Sequence, residues 1–361
     1  MLINVLICAS GQVSAQQIVD IPSTPLCRDC RLEFRRLLGL GAADGEGALA
    51  GEPTSVVQDT RGNYYITQFQ DRTSVVVFSR TGQFVQRIGR TGRGPGEYTR
   101  IAFVTVGAGD SLYVFDQANA RITVLSPTYA VARTTALAGQ YFGAVHLPDG
   151  RLVANAHIPA PDRIGQPLQT LGKDGVVQAV YGAQKPEYKP NITYSVMRTI
   201  GSAGENRVWS GYKTRYVIEE WNADSKQLRV VSRSVPWFKA YDRRRPITQV
   251  QPAEPWLVAL HQDVSGLLWS AVTVPGEDWG KRWVDLGSDE KKGFPGDQRM
   301  FDTMVEVLDL DRRQVLVSQR MPQYVLGFLN DSTSFGYKVD AGEVPNVEIW
   351  RTRLIRGNAR R

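Results

Sequence analysis

Cysteine and histidine are scarce in this chain, with three of each among 361 residues. A structural zinc site needs four such ligands, and Cys27 and Cys30 have no second cysteine pair or histidine cluster to complete one. Haem attachment would need histidine after Cys30, where the sequence has Arg31. A thioredoxin-like pair would need a βαβ unit, which we do not recognise here. We therefore predict a disulfide between Cys27 and Cys30, formed in an oxidising compartment.

Catalytic motifs are missing as well. The sequence has no GxSxG nucleophile elbow, and no pair of carboxylates stands out. The glycine-rich stretch GRTGRGPGEY, residues 89–98, lacks the Lys-Ser/Thr pair and the following helix of a phosphate-binding loop. Its glycines are better explained as a linker between two strands. We expect no cofactor and favour a non-catalytic protein.

Positive charge exceeds negative charge but is not gathered into a patch. The 43 Lys and Arg residues outnumber 36 Asp and Glu, and they are dispersed apart from residues 243–245 and 360–361. A nucleic-acid-binding protein usually concentrates its positive charge beside a recognisable reading module, so nucleic acid is not the expected partner. A mildly basic surface favours acidic ligands through non-specific attraction that salt screens.

The chain also lacks a charged N-terminus and a long apolar run. Residues 2–9 are apolar but too few to span a bilayer as a helix. They precede Val13-Ser14-Ala15, which fits the small-residue rule for signal-peptide cleavage. Because no residue before Asp20 carries a side-chain charge, we expect the translated start to lie upstream. The sequence predicts a signal peptide over residues 1–17, export to the periplasm or the exterior, and no membrane span. The alternative is that these residues form an apolar first strand.

Glycine, proline and aromatic residues are plentiful, and this favours an all-β fold. The 34 Gly and 19 Pro are scattered rather than clustered, as in chains of many short strands joined by tight turns. A hydrophobic fraction of 42% is enough for a packed core.

An internal repeat of about 50 residues runs through the first part of the chain. The segment EFRRLLGLG (33–41) aligns with QFVQRIGRTG (83–92), and QDTRGNYYITQ (58–68) aligns with GAGDSLYVFDQ (107–117). SVVVFSRTG (74–82) aligns with RITVLSPTY (121–129) in the same register. Four strand-like runs per repeat are the signature of a propeller blade, which must stack on its neighbours to bury its faces.

The number of blades follows from counting strands. Later repeats are more diverged, and the sixth supplies only three strands, whereas residues 33–41 form a fourth strand without a blade of their own. Propellers commonly close by completing one terminal blade with the other terminus. We therefore predict a six-bladed β-propeller with four-stranded blades over residues 33–358, preceded by an N-terminal lead over residues 18–32. Residues 33–39 should pair beside residues 347–355.

The run RIGRTGRGPGEY, followed by SLYVFDQANARITVLS, resembles the NHL-repeat family. Its motif positions here are Gly94 to Tyr98, then Tyr113, Val114 and Asp116, with Arg121-Ile122 after Asn119. The resemblance covers about a third of the chain and implies architecture, because NHL-like propellers include ligand-binding scaffolds, sensors and a few hydrolases and lyases.

Connections of very different length are expected at the two ends of the propeller. Turns between the first and second and between the third and fourth strands are tight, whereas the other end collects residues 42–54, 90–100, 183–193, 236–255 and 275–300. Long connections in a compact domain are usually functional or disordered. This long-loop face is the expected site for a small molecule or protein partner of a monomeric propeller.

One long connection has a composition suited to an anionic ring-containing ligand. Residues 236–246, PWFKAYDRRRP, place Trp237 and Tyr241 beside Arg243, Arg244 and Arg245. The alternative is that the aromatic residues pack the loop down while the arginines are solvated. A second loop, residues 277–299 with Trp279 and Trp283, is either a lid or a solvated insertion.

The three histidines support a different function. His146 and His261 fall in predicted innermost strands and, with a carboxylate such as Asp263, offer ligands for a metal on the channel, and the third histidine is His157. A metal-dependent lactonase or lyase of NHL-like architecture is therefore the alternative to a binding protein. Sequence alternation does not determine whether these rings converge.

Overall fold

The computed structural model describes residues 17–182, 195–242, 245–248, 250–282, 284–285, 292–293, 298–340 and 342–357. Within these ranges the chain forms β-strands and short 3-10 turns, the latter at Ala108–Asp110, Trp279–Lys281 and Gln298–Met300. The strands in chain order are β1 (Gln17–Asp20), β2 (Arg31–Leu40), β3 (Pro53–Gln58), β4 (Tyr64–Gln68), β5 (Val75–Phe78), β6 (Phe84–Ile88), β7 (Arg90–Thr91), β8 (Glu97–Tyr98), β9 (Ile101–Val106), β10 (Leu112–Asp116), β11 (Arg121–Leu125), β12 (Val131–Ala136), β13 (Gln140–His146), β14 (Leu152–His157), β15 (Leu168–Leu171), β16 (Val177–Tyr181), β17 (Arg198–Ser202), β18 (Arg207–Tyr212), β19 (Val217–Asn222), β20 (Gln227–Ser232), β21 (Trp256–Gln262), β22 (Leu268–Pro275), β23 (Val284–Asp285), β24 (Lys292–Gly293), β25 (Phe301–Asp309), β26 (Gln314–Met321), β27 (Val325–Asn330), β28 (Thr333–Val339) and β29 (Pro345–Ile355).

Six antiparallel sheets form the blades, as the repeat predicts. From the innermost to the outermost strand they are β3-β4-β5-β6, β9-β10-β11-β12, β13-β14-β15-β16, β17-β18-β19-β20, β21-β22-β25-β26 and β27-β28-β29-β2. Each innermost strand contacts the innermost strand of the next blade, including β27 with β3, so the ring closes. The chain is a six-bladed β-propeller.

The last blade is completed by the N-terminal strand. β2 pairs antiparallel with β29 from Arg31 opposite Ile355 to Leu40 opposite Val347, with one irregularity between Arg36 and Leu38. Leu32 and Leu40 from β2 are buried against the neighbouring blades. The predicted closure is therefore confirmed, since both chain ends contribute to one sheet.

The hydrophobic core is divided into six clusters, one between each pair of adjacent blades. Strand alternation explains how a continuous apolar run serves two of them. In β5, Val76 and Phe78 pack towards the sixth blade, whereas Val75 and Val77 pack towards the second. Because each sheet is covered on both faces, its inner strands are apolar on both faces, and VVVF is fully buried.

Tight turns lie at one end of the blades. In the first blade Gly62 donates its amide to Asp59 and Gly82 donates to Ser79, and both glycines have a positive φ, 89° and 83°. A side chain disfavours that backbone conformation, so these glycines fit the turns that the sequence predicts.

The glycine-rich stretch after β6 crosses from the first blade to the second. The Asp116 carboxylate accepts hydrogen bonds from the amides of Thr99 and Arg100, at 3.1 and 2.9 Å. The Arg121 guanidinium donates to the carbonyl of Gly94 at 2.8 Å and to that of Glu97. The motif residues thus hold the linker against the second blade.

Residues ahead of the ring are more structured than the predicted lead. β1 pairs in parallel with β20 and adds a fifth strand to the outer edge of the fourth blade. The Arg233 side chain, fully buried, donates to the carbonyls of Ile21 and Pro22. The predicted signal peptide, except Gln17, lies outside the described residues.

Cys27 and Cys30 are joined by a disulfide directly before β2, with their Cα atoms 5.3 Å apart. Cys30 packs on the cluster between the fifth and sixth blades. The bridge thus lies where the N-terminal lead turns into the closing strand.

Candidate functional site

The long-loop face contains a cavity of about 460 Å³ near the channel axis. Its walls come from the first residues of β3, β21, β25 and β27, from the ends of β18 and β22, from β28, and from the connection between β20 and β21. These strands belong to the first, fourth, fifth and sixth blades. They meet here because innermost strands begin, and second strands end, at this end of each blade.

Aromatic side chains give the cavity much of its apolar lining. Trp256, Phe301, Tyr324 and Phe335 all face it, and the rings of Phe301 and Tyr324 are stacked with centroids 5.8 Å apart. Concave sites lined by aromatic and apolar side chains with a few polar groups are typical of small-molecule binding.

Four charged side chains also line this cavity, two positive (Lys213 and Arg245) and two negative (Glu52 and Glu254). Arg245 Nε donates to Glu254 Oε1 at 2.7 Å, and the arginine is 64% exposed whereas the glutamate is 6% exposed. Tyr324 Oη donates to Glu52 Oε1 at 3.2 Å. Lys213 Nζ donates to the carbonyl of Leu257 at 3.4 Å. The buried Glu254 thus anchors the exposed Arg245 at the cavity wall.

The predicted aromatic and arginine segment separates into different roles. Trp237 packs on Tyr216 and Phe238, with centroids 5.5 and 6.2 Å away, within the cluster between the fourth and fifth blades. Tyr241 Oη donates to the carbonyl of Pro255 at 3.0 Å and so holds the long connection together. For these two aromatic residues the contacts match the loop-packing alternative.

One of the three arginines of the segment, Arg245, belongs to the described residues. Arg245 lines the cavity, while Arg243 and Arg244 lie outside the described residues. Of the three predicted residues that the structure describes, Arg245 lines the cavity and Trp237 and Tyr241 do not.

The loop of residues 277–299 packs beside the wall of the same cavity through Trp279. Trp279 is buried, donates its indole N–H to the carbonyl of Thr248 at 2.9 Å, and packs edge-on against Phe301, 5.9 Å between centroids. It ties the connection after β22 to the one before β21, beside a ring that lines the cavity. Trp283 lies outside the described residues.

The histidines occupy other places. His146 and His261 lie at the tight-turn end of β13 and β21, where His146 Nε2 is 2.9 Å from Thr105 Oγ1 and His261 Nε2 is 2.8 Å from Asp331 Oδ1. His157 lies at the end of β14, a second strand, opposite Gln140. Burial lowers the pKa of His146 to about 4, which keeps its ring neutral at pH 7.

No group of three or more His, Cys, Asp or Glu side chains in the described ranges is arranged to hold a metal ion. His146 and His261 belong to the third and fifth blades and bond to side chains of the second and sixth blades, respectively. The described residues thus give the metal-dependent alternative no ligand set.

Most of the cavity wall could not be recognised from the sequence. Glu52, Lys213, Trp256, Phe301 and Tyr324 were not singled out, although each lies at or beside the end of a strand on the long-loop face. That position is the one signal that points to them: Glu52, Trp256 and Tyr324 lie where innermost strands begin, Lys213 follows a second strand, and Phe301 begins a third strand.

Comparisons with known proteins agree with the fold. Residues 49–209 match a family model described as a 6-bladed beta-propeller. No curated protein matches the sequence. Across the described ranges no helix is both long and apolar enough to cross a membrane.

Three solved structures are similar over nearly the whole chain. A Bacteroides fragilis protein provisionally described as exported is 12% identical, with a TM-score of 0.60 over 94% of this chain and 100% of its own. A member of the DUF4221 family from Bacteroides vulgatus is 10% identical, with a TM-score of 0.61 over 90% and 99%. A catalytically inactive virginiamycin B lyase from Staphylococcus aureus, with quinupristin, is 11% identical, with a TM-score of 0.50 over 90% and 99%. At such identities the likeness concerns the fold alone.

Proposed function

We propose that this six-bladed propeller is an exported, non-catalytic protein that binds a small ligand in the cavity of its long-loop face. The cavity itself carries the proposal, because it combines an aromatic lining with a few charged groups in one concave site. The N-terminal signal-peptide pattern and the provisional description of the similar Bacteroides fragilis protein support export.

The blades are proposed to be of NHL type. The contacts of Asp116 and Arg121 with the glycine-rich linker support this, because they give the quoted motif residues a common structural purpose in the second blade. The match of residues 49–209 to a six-bladed propeller model supports the architecture in which such repeats occur.

The expected ligand has a ring or apolar body and an anionic group. Trp256 and Phe301 offer faces on which a ring can pack, and Lys213 and Arg245 offer donors to an anion. Glu52 and Glu254 line the same cavity, so a ligand with a second, hydrogen-bond-donating group would fit both signs of charge.

A thermal-shift screen of anionic sugars, lipids and peptides would supply a ligand, and calorimetric titration would then compare variants. The combined change Arg243→Ala, Arg244→Ala and Arg245→Ala should weaken binding by about 1–3 kcal/mol for each charge-assisted hydrogen bond lost. Arg245 is 64% exposed, which limits its own contribution to stability, but its removal leaves the 6% exposed Glu254 carboxylate without its ion pair, so the melting temperature of each variant is measured beside its affinity. The control removes the same charge from exposed Arg28, Arg80 and Arg356, outside the cavity lining.

Lys213→Met separates the cavity from the loop. If the ligand occupies the cavity, this change should weaken binding even when the arginines are intact. Unchanged affinity in both Lys213→Met and the triple arginine variant would move the site elsewhere and contradict the proposal.

A further inference from the structure

A second, solvent-open cavity lies on the closing blade and shares no residue with the proposed ligand site. It has a volume of about 70 Å³ and is lined by Glu33 and Arg35 of β2 and by Arg351 and Arg353 of β29. In the ladder Glu33 is directly opposite Arg353, and Arg35 is directly opposite Arg351. Residues directly opposite each other in an antiparallel pair project on the same face, so the four side chains share one surface.

The charges of this group do not balance. Three guanidinium groups face one carboxylate, and like charges directly opposite each other destabilise a strand pair. Within the described part of the chain the side chains of Arg35, Arg351 and Arg353 make no ion pair or hydrogen bond. Arg36, the next residue of β2, does pair, with its Nε 3.2 Å from Glu348 Oε1. The closing ladder therefore contains an excess of two positive charges at a cavity.

The size and donors of the cavity define the class of ligand. A volume of about 70 Å³ has room for a small oxyanion but not for a ligand of the size that the larger cavity would hold. Guanidinium groups match phosphate because their forked donors bond two of its oxygens at once. A singly protonated phosphate also carries a hydroxyl that can donate to Glu33, whereas chloride has neither feature.

We propose that this cavity binds a phosphate group that bridges the two chain ends of the propeller. Arg35 comes from the N-terminal strand and Arg351 and Arg353 from the C-terminal strand, so a bound phosphate replaces their mutual repulsion with attraction to a shared anion. A ligand that binds only the closed ring stabilises it by mass action. The phosphate is either the free ion or the headgroup of an anionic lipid, since both present the same oxygens.

Calorimetric titration with inorganic phosphate tests the site in the full chain, at constant ionic strength set by sodium chloride. The wild type should bind phosphate, and its melting temperature should rise with phosphate concentration. Arg351→Gln and Arg353→Gln should each lower the phosphate affinity at least about tenfold, the loss expected for one hydrogen bond to a charged group. Arg36→Gln, on the same strand but in an ion pair with Glu348, should bind as the wild type does.

Stability without phosphate provides an independent readout. In chloride alone Arg351→Gln should melt no lower than the wild type, because it removes the repulsion with Arg35. Co-sedimentation with phosphatidylcholine vesicles, with and without phosphatidic acid, distinguishes the source of the phosphate. Vesicle binding that Arg351→Gln abolishes, without binding of the free ion, assigns the site to a lipid headgroup.

The proposal is overturned if the wild type binds neither inorganic phosphate nor phosphatidic acid vesicles. It is equally overturned if Arg351→Gln and Arg353→Gln retain the wild-type affinity. Neither result bears on the ligand cavity of the long-loop face, because the two sites share no residue.

Discussion

The closing strand β2 should contribute to stability through its buried leucines and not through its exposed one. Leu40 is 0% exposed and packs with Val347 and Ile349 of its own blade and with Tyr64 and Phe78 of the first blade. Truncating such a leucine removes buried apolar area and leaves a cavity, which together cost about 2–5 kcal/mol. Leu37, on the same strand, is 39% exposed, so its truncation should cost within about 0.5 kcal/mol.

The matched variants are Leu40→Ala and Leu37→Ala, compared by urea unfolding and by calorimetry. A specific unfolding entropy of ~2.1 cal/mol/K per residue amounts to ~0.7 kcal/mol/K for a ring of ~325 residues, so a loss of ~3 kcal/mol lowers the melting temperature by ~4 °C. Leu37→Ala should melt within about 1 °C of the wild type by the same conversion.

Deletion of residues 31–41 is the stronger form of the same test. It removes the whole outer strand of the last blade and exposes an unpaired edge where the ring closes, so cooperative unfolding should be lost. Equal stability of Leu40→Ala and Leu37→Ala, or unchanged melting of the deletion variant, would refute closure as a source of stability.

Three further predictions follow from buried groups and from the disulfide. Arg233→Met should destabilise the fold by about 3–5 kcal/mol in urea unfolding, because it leaves the fully buried Glu306 carboxylate without its 2.7 Å ion pair, and adding Glu306→Leu should restore most of the loss. Burial lowers the pKa of His146 to about 4, so its neutral ring contributes stability that is present above the unfolded pKa of ~6.5 and is lost as the pH falls. The wild type should therefore lose ~3 kcal/mol more of its free energy of unfolding than His146→Gln does between pH 7 and pH 4. Parallel pH dependence of the two proteins would contradict this. Mass analysis after alkylation without reductant should find Cys27 and Cys30 unmodified in material from the native compartment. Reduction of this short loop should lower the free energy of unfolding by about 2 kcal/mol. Two alkylated thiols would count against both the disulfide and export.

Much of the fold could be predicted because a propeller repeats its local signals. The tight turns at Gly62 and Gly82 and the apolar run of β5 recur at the same spacing in the next blade, so each copy supports the interpretation of the others. Closure could be predicted by counting strands, because the three strands of the C-terminal repeat and the unmatched N-terminal strand together complete one sheet.

The pairing of β1 with the fourth blade could not be predicted from the sequence, for a physical reason. Its partner β20 lies more than 200 residues further along the chain, and the pairing is parallel, so no hairpin or turn signal connects them. Four residues also give too short a pattern for alternation to be informative. The burial of Arg233, which holds the following residues, arises only once the fourth and fifth blades are packed together.

The candidate site shows the same division between local and tertiary information. By itself the sequence determined the architecture, the face with long connections and the presence of an aromatic and arginine-rich loop. Only the tertiary structure decided that Trp237 packs into the core while Arg245 reaches a cavity formed with Lys213, Trp256 and Tyr324. Those residues come from separate blades, and their distances depend on the closure of the whole ring, because strand pairing is encoded locally whereas convergence on an axis is a property of all six sheets together.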